Sequence, residues 1–110
     1  MKINEIKGER ALELLADMFE PMGRIMNDPV IKKLAQDKTA SKVEVARAMI
    51  KGHSKETLEI LALLDGVNTG NEDAMAEYRE KATVPVILKG VLNILNDPDV
   101  VSLFTWQGQN

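Results

Sequence analysis

Ser54-Lys-Glu-Thr-Leu-Glu-Ile-Leu-Ala-Leu-Leu-Asp65-Gly66 reads as a helix that keeps no side for water over its second half. Ser54 offers a hydroxyl to the free N–H groups of a first turn, so it is the expected N-cap. Glu56 and Glu59 follow in the early turns, where carboxylates favour the positive end of the helix dipole. Gly66 closes the stretch, as a residue that enters the left-handed region without a Cβ penalty. Between these signals Ile60 to Leu64 is apolar without interruption. Five such residues cover the whole circumference of a helix, which places this segment at the centre of a small helical domain. A run this short also suits a buried strand, but the caps and the Leu and Ala content favour helix.

Working outward, the flanking segments repeat the helical pattern. Leu12, Leu15, Met18, Phe19, Met22, Ile25 and Met26 fall three or four apart and form one apolar stripe. Pro21 lies within it, where its ring removes a hydrogen bond and crowds the carbonyl of Asp17. The stripe keeps phase across Pro21, which predicts a kink, with a break into two helices as the alternative. Asn27-Asp28-Pro29 ends this helix and starts the next, with Asp28 as N-cap and Pro29 at the first helical position. Ser41-Lys-Val-Glu44 reads as a capping box for a helix bearing Val43, Val45, Ala46, Met49 and Ile50. Gly52-His53 marks its end.

Beyond the central stretch, Val67 to Gly70 is a loop and Glu72 to Lys81 a surface helix with few apolar residues. Val86, Ile87, Leu88, Val91, Leu92, Ile94 and Leu95 form a second candidate core helix. Its β-branched start leaves a strand open at Val84 to Leu88. Asn96-Asp97-Pro98 repeats the earlier Asn-Asp-Pro turn, and Ile94 to Leu103 matches Ile25 to Leu34 in character. A single recurrence is explained by Asp-Pro being a good helix start, since repeat folds need three or more units. Met1 to Lys7 is a polar lead-in. The expected architecture is all-α, a small single-domain bundle of about five to seven short helices. It comprises a helical domain over residues 1–104 and a polar C-terminal tail over 105–110.

Bulk properties bound the function. One domain suits 110 residues, and at this size folding removes roughly 65% of the chain's surface from water, enough for a core without staples. There is no cysteine, so disulfides and thiolate metal sites are excluded. No apolar leader follows Met1, and the longest apolar run is far below the ~20 residues of a membrane span. A cytoplasmic protein with no membrane contact is expected. The net charge of −3 divides unevenly: Lys32 to Lys55 is +5 and the remainder −8. Arg47, Lys51 and Lys55 form a candidate basic face. Nucleic acid is disfavoured as its target, because the segment has no aromatic residue for stacking and the domain is acidic overall.

Catalytic chemistry finds little support. His53 is the sole histidine, and Ser54 and Glu56 beside it do not form a triad, since sequence neighbours do not face each other on a helix. Asp65, Asn68, Glu72 and Asp73 suggest a calcium loop, but Val67 sits where an oxygen ligand is required. No catalytic residue, metal ligand or cofactor is assigned. Apolar side chains are the better candidates for binding a partner. Met18, Met22 and Met26 recur every four residues as a flexible, polarizable stripe that serves either the core or a partner. Leu103, Phe104 and Trp106 gather near the C-terminus as a second candidate anchor.

The chain resembles the tail assembly chaperones of long-tailed phages and prophages of Gram-positive bacteria. The likeness rests on Glu59-Ile-Leu-Ala-Leu-Leu-Asp65-Gly66, on Leu92-Asn-Ile-Leu-Asn-Asp-Pro98 and on Leu103-Phe-Thr-Trp-Gln-Gly-Gln109. These motifs consist of caps and core positions, so they are structural rather than chemical. The resemblance implies a non-enzymatic role: coating the long helical tape measure protein and keeping it soluble until the tail tube protein polymerises around it. It also implies self-association along the tape measure, a place in the bacterial cytoplasm, and absence from the mature virion. A longer, frameshifted form is common in that family. Two other readings fit the residues: a small helical DNA-binding regulator using Ser41 to Ile50, and an oligomeric scaffold or adaptor. The central-helix assignment carries its own prediction. Leu61→Ala is expected to cost ~2–5 kcal/mol in denaturant unfolding, as truncation of a buried leucine.

Overall fold

The computed structural model describes residues 6–37 and 39–108, with side chains described as far as Phe104. Seven helices make up these residues, and no strand occurs among them. They are α1 (Glu9–Met26), α2 (Pro29–Gln36), α3 (Lys42–Gly52), α4 (Ser54–Leu64), α5 (Glu72–Lys81), α6 (Val84–Asn96) and α7 (Pro98–Gly108). The fold is therefore an all-α bundle, at the upper end of the expected helix number.

α4 is the central element. Thr57, Ile60, Leu61, Ala62 and Leu63 are all buried, because α1, α3, α5 and α6 cover the helix from different sides. Its end is a Schellman motif. Gly66 has φ +82°, its N–H donates to the Leu63 carbonyl at 3.1 Å, and the Val67 N–H donates to that of Ala62 at 2.9 Å. The start differs from the capped helix that Ser54 suggests. His53 is the cap residue, no side chain caps the turn, and Ser54 is the first helical position. The reason lies in the connection. α3 and α4 are separated by His53 alone, so its N–H still donates to Met49 of α3 while its carbonyl already accepts from Thr57 of α4. Thr57, the one buried polar side chain among the described residues, also donates its hydroxyl to the Met49 carbonyl at 3.3 Å.

Helix α1 runs unbroken through Pro21. Pro21 is itself buried, and Met18, Met22, Ile25 and Met26 pack into the core on both sides of it. Continuous packing of the stripe holds the helix together across the missing hydrogen bond. Val84 to Leu88 is the first part of α6, with Thr83 as cap residue and Pro85 in the first turn, and not a strand. α7 continues its helical backbone to Gly108, into the segment whose composition suggests a polar tail. Met1 to Glu5, Lys38, Gln109 and Asn110 lie outside the described residues.

The two Asp-Pro turns have the same geometry. Asp28 (φ −73°, ψ 118°) accepts from the Val30 N–H at 2.9 Å, and Asp97 (φ −90°, ψ 109°) accepts from the Asp99 N–H at 3.0 Å. Residues at matching positions share the same fate: Ile25 and Ile94 before the turn, and Ile31 and Val100 after it, are all buried. One local device therefore makes both the α1–α2 and the α6–α7 connections.

Helices α4 and α6 approach closely at Gly90. A Cβ built there would lie 2.7 Å from Cδ2 of Leu61, whose exposure is only 6%. Gly90→Ala is thus expected to destabilise the protein by ~1–3 kcal/mol through overpacking. In the Leu61→Ala background the same change is expected to stabilise by ~0.5–1 kcal/mol, the ordinary gain of alanine over glycine in a helix. A double-mutant cycle by urea unfolding checks this reversal of sign.

Candidate partner-binding surface

The methionine stripe does not form a surface. Met18, Met22 and Met26 lie in the core with Ile25, facing α4 and α7. Phe104 is also buried and Leu103 packs partly against the same core. The burial of Met18, Met22, Met26 and Phe104 corrects their assignment as docking residues. The physical reason is coverage. A stripe three or four residues apart is what any buried helix shows, and the apolar circumference of α4 requires such stripes from its neighbours. Trp106 belongs to α7 by its backbone, and its side chain lies outside the described residues.

The exposed apolar residues are different ones. Val84 is 79% exposed, Leu12 69%, Val43 68% and Val30 61%, with Val86, Leu88 and Ile50 less so. Val84 and Leu88 continue the face of α6 that carries Val91 and Leu95, but they are left exposed in its first half. Val43 and Ile50 sit on one flank of the wide apolar arc of α3, while Ala46 and Met49 take the buried part. The sequence does carry a sign of this: the apolar arc of α3 is wider than one neighbouring helix can cover.

Charged groups divide into those that tie helices together and those that face outward. Arg24 of α1 reaches α4 through Glu56 (3.3 Å) and Glu59 (3.2 Å) and also holds Glu20 of its own helix (2.6 Å). The hydrogen bond to Glu20 raises the pKa of its guanidinium further, against some desolvation. Lys42 at the start of α3 donates to Asn96 at the end of α6 at 2.6 Å. The basic candidates Arg47, Lys51 and Lys55 are all exposed, and none joins a salt bridge among the described residues. Arg47 and Lys51 lie one turn apart beside an apolar groove between α2 and α3, which includes Val30, Leu34 and Ala48. This groove joins the basic face to exposed apolar side chains.

The groups considered for chemistry have structural partners. His53 Nε2 lies 2.8 Å from Oδ2 of Asp28, which brings the α3–α4 junction against the α1–α2 turn, and no triad with Ser54 forms. Asp65 accepts from the Tyr78 hydroxyl at 2.7 Å, and burial together with this bond pushes the Tyr78 pKa up. Asn68 accepts from the Gly70 N–H, and Asn71 caps α5 by accepting from Asp73 and Ala74. No group of acids and histidine suited to a metal ion occurs among the described residues, and none of their helices is long and apolar enough to cross a membrane.

Asp28 generates a pH prediction. Its hydrogen bonds to His53 and to the Val30 N–H hold its carboxyl below the ordinary aspartate value of 3.8. A depressed carboxylate contributes stability that is complete above the unfolded value and lost as pH falls through the folded one. Asp28→Asn keeps a cap oxygen but removes the charge. Wild type is expected to melt above this variant at about pH 6, and the gap is expected to narrow as pH falls below the ordinary aspartate value of 3.8. Paired thermal melts across that range provide the check.

Comparison of the chain with protein-family models, with curated proteins and with solved structures finds no match.

Proposed function

We propose that this chain is a tail assembly chaperone of a long-tailed phage or prophage, which binds the tape measure protein and keeps it soluble during tail assembly. The observation that carries the reading is the surface of the bundle. A small acidic helical domain leaves large apolar side chains outside on α1, α2, α3 and α6. Such a surface suits a protein that covers apolar helices of another chain. The resemblance in Glu59 to Gly66, Leu92 to Pro98 and Leu103 to Gln109 supplies the identity of that chain. The role is non-enzymatic and takes place in the bacterial cytoplasm. Many copies line the tape measure, and their acidic and basic regions favour contact between neighbours. The tail tube protein is a further partner only as it replaces them.

A DNA-binding regulator is the second reading, favoured by the exposed Arg47, Lys51 and Lys55 at α3 and the start of α4. It predicts duplex binding that falls steeply with salt. An oligomeric scaffold or adaptor would self-associate whether or not a tape measure helix is present.

Co-expression with the tape measure protein of the same phage or prophage, followed by pull-down at low and high salt, separates these readings. The expected outcome is a soluble tape measure protein that elutes with many copies of this chain. An insoluble tape measure protein, with this chain eluting alone, removes the chaperone reading.

A further inference from the structure

The groove between α2 and α3 is more specific than the scattered apolar side chains. Val30 and Leu34 lie four apart on α2, and Ala48 and Gly52 lie four apart on α3, so each helix contributes one row. A side chain built at Gly52 would meet nothing within 4 Å, so the trough is open at that end. Arg47 and Lys51 form its basic rim. Of the two acids beside them, Asp28 is already engaged by His53 and the Val30 N–H. The other is Glu44, and the Lys32–Lys55 segment that supplies it together with Arg47 and Lys51 carries a net charge of +5.

We infer that this groove holds one helix of a partner protein, an amphipathic helix whose apolar stripe is flanked by carboxylates. A row of branched apolar residues on α2 and a row of small ones on α3 leave a furrow into which the ridge of a third helix fits. The cations of the rim select the acidic flank and orient it. Nucleic acid suits the furrow poorly, because phosphates would be desolvated against an apolar floor that has no aromatic for stacking. A second copy of this chain also fits less of it. Its α1 carries Glu9 and Glu13 beside Leu12 and Phe19, but Leu15 between them is half-buried in its own bundle. The inference goes beyond the chaperone reading, since it names the chemistry of the bound helix and applies to any helical partner.

Two designed helical peptides with one leucine stripe, flanked by glutamates in one and by lysines in the other, test it by fluorescence anisotropy. The glutamate peptide is expected to bind at least about tenfold more tightly than the lysine peptide. Arg47→Glu with Lys51→Glu is expected to weaken the glutamate peptide by at least about tenfold and to strengthen the lysine peptide. Val30→Ser, at an exposed position of the floor, is expected to weaken both peptides. Circular dichroism melts of these surface variants establish that the fold is retained. Equal affinity for the two peptides, or none for either, overturns the inference. So does self-association of the chain, or binding to a DNA duplex, that the double variant abolishes. Co-expression of the wild-type chain with the tape measure protein, beside its peptide binding, keeps the two proposals apart. Peptide binding without a soluble tape measure protein leaves the groove and removes the chaperone reading. A soluble tape measure protein without peptide binding does the reverse.

Discussion

A helix that is apolar round its circumference has to be covered from every side, and the rest of this bundle follows from that requirement. Ile60, Leu61, Ala62 and Leu63 occupy successive positions on α4, so no single neighbour can bury them. α1 covers the helix along most of its length, α3 and α6 take further sides, and α5 closes over its C-terminal end. Each covering helix brings its own stripe: Met18, Met22 and Ile25 from α1, Ala46 and Met49 from α3, Val91 and Ile94 from α6. Each then presents its opposite face to solvent. Burying α4 thus determines indirectly which faces remain available to a partner.

Polar contacts reinforce the same centre. Arg24 ties α1 to Glu56 and Glu59 of α4, and Thr57 of α4 takes up a carbonyl of α3. The Arg24 pairs are partly exposed, and such pairs contribute little to stability, so they fix the rotation of α1 on α4 more than they hold it there. The Thr57 bond differs in kind. The Met49 carbonyl also accepts from the His53 N–H, and the buried hydroxyl gives it a second donor where the chain must leave α3 and enter α4 within one residue. His53 completes the junction from outside by meeting Asp28. The starts of α2 and α4 and the end of α3 therefore meet in a small set of linked groups around Asp28 and His53.

Much of this architecture is legible in the sequence because its signals are local. Asp28-Pro29, Ser41 and Gly66 act on backbone groups two to five residues away, and each behaves as its chemistry dictates. The same reasoning goes wrong at Ser54, where a cap is offered but the preceding helix ends too close for a separate cap residue to be needed. At Pro21 the in-phase stripe pointed to one helix rather than two, and α1 is continuous there. The candidate binding residues were the least legible part. Met18 and Val84 both belong to apolar stripes, yet Met18 is buried and Val84 is exposed. What separates them is where a neighbouring helix stops, and no property of the residue or its spacing encodes that.

Placement of charge then gives the leftover surface a direction. The +5 segment from Lys32 to Lys55 spans α2, α3 and the start of α4, the region that holds the groove. The acids are placed differently: Glu56 and Glu59 join Arg24, Asp28 joins His53, and Glu77 joins Lys81. These acids are engaged within the molecule, while Arg47 and Lys51 form no salt bridge among the described residues. A protein with a net charge of −3 therefore shows a partner approaching the groove a positive rim over an apolar floor. Apolar contact alone would make that floor indiscriminate, accepting any exposed stripe, including those of unfolded chains. The rim adds the discrimination, because a basic flank is repelled and an acidic one is oriented before the apolar contact forms.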